Sequence, residues 1–243
     1  MLRATKLRAD MLRAAKLRAD MLKATKLRAD MLRADMLRAD MFNRLKLRNF
    51  FGVVLWVFAL VGCNNANTVT VKADAHVVAF GDSLTSGVGA TLGADYPSKL
   101  ATLTGLNVIN AGVSGETTEQ GAQRLTQVLD EFDPDVLILL EGGNDFLRNQ
   151  DITQTKANLA QMIALSQARN IQVILVAVPQ KSLFLSDAKL YQQLADDYQI
   201  SLLPDALADL LGQTKLKSDT VHLNDAGYTQ LAEKIAELID IEP

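Results

Sequence analysis

The sequence predicts an α/β fold, a single doubly wound domain whose five-stranded parallel sheet carries helices on both faces. Three observations lead there. Five nearly continuous apolar runs, at residues 76–80, 107–111, 136–140, 171–178 and 200–203, read as strands buried on both sides. Stretches with helical spacing separate them, as βαβ crossovers require. Hydrophobic residues make up 49% of the 243-residue chain, ample for one core.

In chain order, residues 1–40 come first, as eight pentads from Met1-Leu2-Arg3-Ala4-Thr5 to Met36-Leu37-Arg38-Ala39-Asp40. The residue types favour helix, but a period of five turns each leucine by about 140° around the axis, so no apolar face forms. This low-complexity extension is expected to form no domain. Residues 41–62 read as an export signal: basic Arg44, Lys46 and Arg48, then an uncharged apolar run from Phe50 to Gly62. That run is too short for a bilayer span of about 20 residues. Leu60-Val61-Gly62-Cys63 resembles a bacterial lipobox, which implies lipidation of Cys63 and anchoring to a membrane of the cell envelope. Asn64 after it implies the outer membrane where the cell has one. Residues 63–74 are expected to be a polar tether, and residues 75–243 the folded domain.

Within the domain, the strand at 76–80 stops at Gly81-Asp82-Ser83. Tyr96 to Thr104 reads as a helix with Pro97 in its first turn and Gly105 as its stop. Thr118 to Phe132 places Leu125, Val128, Leu129 and Phe132 on one stripe and ends at Asp133-Pro134. Further helices are expected at 153–169, 187–198, 205–211 and 225–239. Charge is divided: 14 basic and 5 acidic residues precede Cys63, whereas 11 basic and 23 acidic follow from it, a net −12. An acidic domain argues against nucleic acid as a partner. The single cysteine excludes an internal disulfide framework.

Chemistry is expected where parallel strands end. Ser83 is presented at such an end, and a serine nucleophile needs a base that a third group orients. Of the two histidines, His76 lies about 20 Å away at the other end of the same strand. His222 remains, with Asp219 three residues before it, a spacing that brings side chains together in a helical turn. Gly112 and Gly142-Gly143-Asn144, after the second and third strands, offer donors for a developing oxyanion. Ser182-Leu183-Phe184-Leu185 is apolar where a loop should be polar, which makes Leu183 and Phe184 candidates for holding an acyl chain.

Gly81-Asp82-Ser83-Leu84, the stretch Asn110 to Thr118, Gly142-Gly143-Asn144-Asp145 and Asp219-Thr220-Val221-His222 together resemble the SGNH (GDSL-type) hydrolases. The likeness is to their small bacterial arylesterases, lysophospholipases and acyl thioesterases, and runs from about Ala75 to the C-terminus. It implies a flavodoxin-like fold and a cofactor-free serine esterase acting on lipid, aryl or thio esters. Ser83 would be the nucleophile, His222 the base and Asp219 its partner. Ser83 N–H, Gly112 N–H and the Asn144 side chain would form the oxyanion hole. Leu223 departs from the pattern, since many relatives carry proline there.

No Gly-x-Ser-x-Gly elbow is present. The loop Gly87 to Gly93 lacks a Walker lysine and the Gly-x-Gly-x-x-Gly register. Two distant histidines and one cysteine offer no zinc cluster. Two other readings are a binding or scaffolding lipoprotein with little turnover, and a deacetylase of envelope polysaccharide.

Overall fold

Val77, Val78, Ala79 and Phe80 have no exposed surface, because the strand that carries them lies in the middle of a sheet with helices on either side. The computed structural model describes residues 68–180 and 186–242, together with Met21, Lys23, Lys26, Arg28, Met31, Arg33 and Met36. The chain divides into two units, Met1–Asn64 and Asn65–Pro243. In the first, the described positions are helical and exposed.

In the second unit, the elements in order are β1 (Val69–Lys72), β2 (His76–Gly81), α1 (Ser83–Ser86), α2 (Tyr96–Thr104), β3 (Asn107–Gly112), α3 (Thr118–Phe132), β4 (Val136–Leu140), α4 (Gly143–Leu147), α5 (Ile152–Gln167) and β5 (Gln172–Val176). There follow β6 (Pro179–Gln180), β7 (Ser186–Asp187), α6 (Lys189–Tyr198), β8 (Ser201–Leu203), α7 (Ala206–Leu211), a 3-10 turn (Thr214–Leu216), α8 (Asp225–Ala236) and β9 (Ile239–Glu242). The five expected strands form one parallel sheet in the order β3-β2-β4-β5-β8. Helices α2, α7 and α8 pack together, as do α3, α5 and α6, and these two groups are the layers that cover it.

Register decides where the site forms. Gly81 stands opposite Gly112 on one side and Leu140 on the other, so three strands end level. The chain leaves β2 toward β3 and leaves β4 toward β5, in opposite directions across the sheet. A crevice therefore opens beyond β2 and β4, at the switch point of the topology.

Two expectations need correction. Val69–Lys72, read as the end of a polar tether, is a strand that pairs in parallel with Ile239–Glu242. Val69 and Val71 alternate with Thr70 and Lys72, a half-buried strand pattern too short to stand out within polar sequence. For the same reason the last helix ends at Ala236 and not at Ile239: β-branched Ile239 and Ile241 alternate with acids and join β1. Gln172 Nε2 donates to Thr70 O at 2.9 Å, which fixes this pair beneath the N-terminal end of β5, away from the crevice.

Candidate active site

Ser83 opens α1 directly beyond β2. Asp82 caps this single turn, its Oδ1 accepting the Leu84 N–H at 2.9 Å, and Gly87 closes it at φ 85°. β3 must approach this turn closely: a Cβ on Gly112 would overlap Ser86 N and the Thr85 carbonyl carbon. After β4, Gly142 at φ 113° redirects the chain into α4, whose first turn carries Asn144.

His222 arrives from the loop that precedes α8. An isolated bridge between Lys217 and Leu223 closes the loop, and Leu223 is fully buried. Asp219 and His222 were expected to meet across a helical turn, but the loop is not helical. Asp219 instead folds the loop around its own carboxylate: Oδ1 accepts the N–H groups of Val221 and His222, both at 2.8 Å. Oδ2 accepts from His222 Nδ1 at 2.7 Å, and His222 Nε2 lies 3.0 Å from Ser83 Oγ. The Nδ1–H donation to the carboxylate leaves Nε2 as the acceptor for the serine hydroxyl. Such a relay can take a hydroxyl proton as the oxygen attacks. The hydrogen bond from His222 holds Asp219 down to about 2, so it stays ionised through the acid range.

Asn144 Nδ2 donates to Glu116 O at 2.8 Å and to Asp82 Oδ2 at 3.1 Å. Gly112 N–H donates to Asn110 Oδ1 at 3.0 Å. His76, at the other end of β2, donates its N–H to Asp135. A cleft of about 370 Å³ is lined by polar Ser83, Asn144 and His222 and by apolar Leu84, Phe146, Val178 and Leu211, among others. Leu183, Phe184 and Cys63 lie outside the described residues.

Sequence reasoning missed the polar layer beneath these groups. Asp145 is buried and holds α4 against α3, accepting from Thr118 N–H at 3.0 Å and Thr118 Oγ1 at 2.6 Å. Asp82, Glu116 and Glu141 are buried close together, with Arg124 the cation paired to Glu116. Burial pushes Asp82 up to about 6. Burial, with the negative charges of Asp82 and Glu116, raises Glu141 well above the usual carboxylate range. Glu141 Oε1 has no donor among the described residues, and a buried carboxyl close to two other buried acids, Asp82 and Glu116, is tolerated when it holds a proton. The signal in the sequence was an acid at the end of an all-apolar strand, Leu139-Leu140-Glu141.

A folded-state value above the ordinary one means that protonated Glu141 favours folding. That contribution is complete below about 4.5 and is lost as pH rises through the folded value. Glu141→Gln, an isostere of the neutral acid, should therefore lose less melting temperature than wild type between pH 5 and pH 9. Identical melting-temperature profiles for the two proteins would contradict a proton on Glu141.

A family model, the GDSL-like lipase/acylhydrolase family, matches residues 79–230. An arylesterase of Vibrio mimicus is 28% identical over 177 residues, 68% of this chain and 88% of that protein. The lipoprotein YqeF of Bacillus subtilis, uncharacterised by its description, is 34% identical over 108 residues, 41% of either chain. The crystal structure of AlinE4, an SGNH-hydrolase family esterase, superposes with a TM-score of 0.56 at 33% identity, covering 66% of this chain and 92% of its own. The parallel sheet, the level strand ends and the match over residues 79–230 agree, and the chain belongs to the GDSL-like lipase/acylhydrolase family.

Proposed function

We propose that this esterase works through an acyl-enzyme on Ser83. The observation that carries the reading is the unbroken row from Ser83 Oγ through the His222 ring to Asp219, at 3.0 and 2.7 Å, with Ser83 and His222 lining the cleft. Ser83 Oγ attacks the ester carbonyl while its proton passes to His222 Nε2. The carbonyl oxygen becomes an oxyanion that Ser83 N–H receives together with Gly112 N–H and Asn144 Nδ2, which exchange Asn110 Oδ1 and Asp82 Oδ2 for it while Asn144 keeps its bond to Glu116 O. His222 returns the proton to the departing alkoxide, phenolate or thiolate as the carbonyl reforms on Ser83. Water then repeats the sequence, releasing the acid. Asp219 holds the ring in one tautomer and offsets the imidazolium charge.

The cleft is near the lower end of the usual range for ligand sites, about 300–1,000 Å³, and its apolar lining residues support short to medium acyl chains. Pro179 and Gln180 line it just before the 181–185 segment, which supports a place for Leu183 and Phe184 along the acyl chain. A graded series of p-nitrophenyl esters tests this on protein from residue 64 onward. Turnover should be highest on the shorter chains and fall beyond about ten carbons. No hydrolysis of any member by folded protein would overturn the reading.

Cys63 is proposed as a lipid anchor that places the esterase on a bacterial envelope membrane, the outer one in a diderm cell. The lipobox-like Leu60-Val61-Gly62-Cys63 and the likeness to a lipoprotein support it. Among the described residues no helix is long and apolar enough to cross a membrane. Wild-type protein should incorporate radioactive fatty acid and Cys63→Ser should not; unlabelled wild-type protein free in the medium would contradict the anchor.

A further inference from the structure

Arg124 lies on α3 and is not among the residues that line the cleft. Its guanidinium sits 4.1 Å over the ring of Phe80, two residues before Asp82. Nε and Nη2 grip the two oxygens of the Glu116 carboxylate at 2.8 and 2.6 Å, and Nη2 also donates to Ala111 O at 3.0 Å. A fork of fixed geometry can make these contacts together, whereas an ammonium cannot reproduce them.

Both destinations matter for the oxyanion. Ala111 C=O and Gly112 N–H belong to one planar trans peptide, so a donor fixed on that carbonyl sets the direction in which the Gly112 N–H points. It also polarises the peptide, strengthening the N–H as a donor. The Glu116 backbone oxygen in turn accepts from Asn144 Nδ2 at 2.8 Å, so holding Glu116 holds the amide of Asn144. One side chain is thus linked to two of the three proposed oxyanion donors, each through one intervening group. Asp82, Glu141 and Glu116 crowd the same buried layer, and they fit there because Arg124 supplies the positive charge.

We propose that Arg124 is the positioning residue of the oxyanion hole, setting Gly112 N–H through the Ala111 carbonyl and Asn144 Nδ2 through Glu116. The inference rests on the acyl-enzyme reading above. It implies that Arg124 acts on the rate of the chemical step and leaves ester binding nearly untouched.

Two variants separate this role from packing. Arg124→Lys keeps a charge but loses the fork; Arg124→Met with Glu116→Gln removes the buried pair together, so neither partner is stranded. Each is measured on p-nitrophenyl butyrate per active site, titrated by the nitrophenol burst, alongside its melting temperature. The expected result is kcat lower by about 10- to 100-fold with KM within about threefold, and inactivation by a p-nitrophenyl phosphonate slowed in parallel. Partial recovery by Arg124→Lys relative to the double variant would fit the retained charge. A per-site kcat within twofold of wild type in a folded variant overturns the inference, as does failure of both variants to fold, which would make Arg124 a scaffold residue. The underlying reading is judged separately, by wild-type turnover and its loss in Ser83→Ala.

Discussion

Ser83→Ala should lower kcat by about 10⁴-fold or more while leaving the fold intact. Among the described residues the side-chain hydroxyl has one partner, His222 Nε2, whereas the contacts that build α1 run through the Ser83 backbone carbonyl, which Gly87 and Val88 N–H groups and Ser86 Oγ share. Alanine keeps that carbonyl, and the Asp82 cap does not involve the side chain at 83. Melting temperature should therefore correspond to a change within about 1 kcal/mol. Because the hydroxyl and the imidazole act as a unit, Ser83→Ala with His222→Ala should be no slower than Ser83→Ala alone. A further large loss in the double variant, read from pre-steady-state or long-time progress curves, would mean that the two residues act independently.

Asn144→Ala should lower kcat by about 10²- to 10³-fold, the usual cost of one oxyanion donor, with KM little changed. Unlike Ser83→Ala it should also destabilise the protein. The Glu116 carbonyl and Asp82 Oδ2 each lose the amide that now donates to them, at 2.8 and 3.1 Å. Stranding buried acceptors costs about 1–3 kcal/mol apiece where water does not replace the donor. Urea unfolding and steady-state kinetics on the same preparation check both parts. An unchanged kcat with reduced stability would leave Asn144 a purely structural residue.

Much of this was legible in the sequence because the relevant signals are local. A strand buried on both faces writes itself as an apolar run, so Val136 to Leu140 could be read without its neighbours. The Gly81-Asp82-Ser83 stop marked the place where the serine would emerge, and elimination between two histidines led to His222. What was not legible depends on distance. β1 and β9 are four residues each, and neither is a strand until the other lies beside it. Arg124 falls on a helix where a lone cation normally reads as solvated, and only the fold turns it toward Glu116, eight residues away and off its stripe. The Asp219 loop shows a third kind of limit: the spacing was right, but the carboxylate meets the ring by capping its own loop and not across a helical turn.

The central claim is that Ser83 carries the acyl group, and the most direct test is to trap it. Protein treated with a p-nitrophenyl phosphonate should gain one phosphonyl mass as ester hydrolysis is lost, and peptide mapping should place it on Ser83. Ser83→Ala should take no label. Label on Ser86 or Ser114, or loss of hydrolysis in wild type with Ser83 unmodified, would contradict the account.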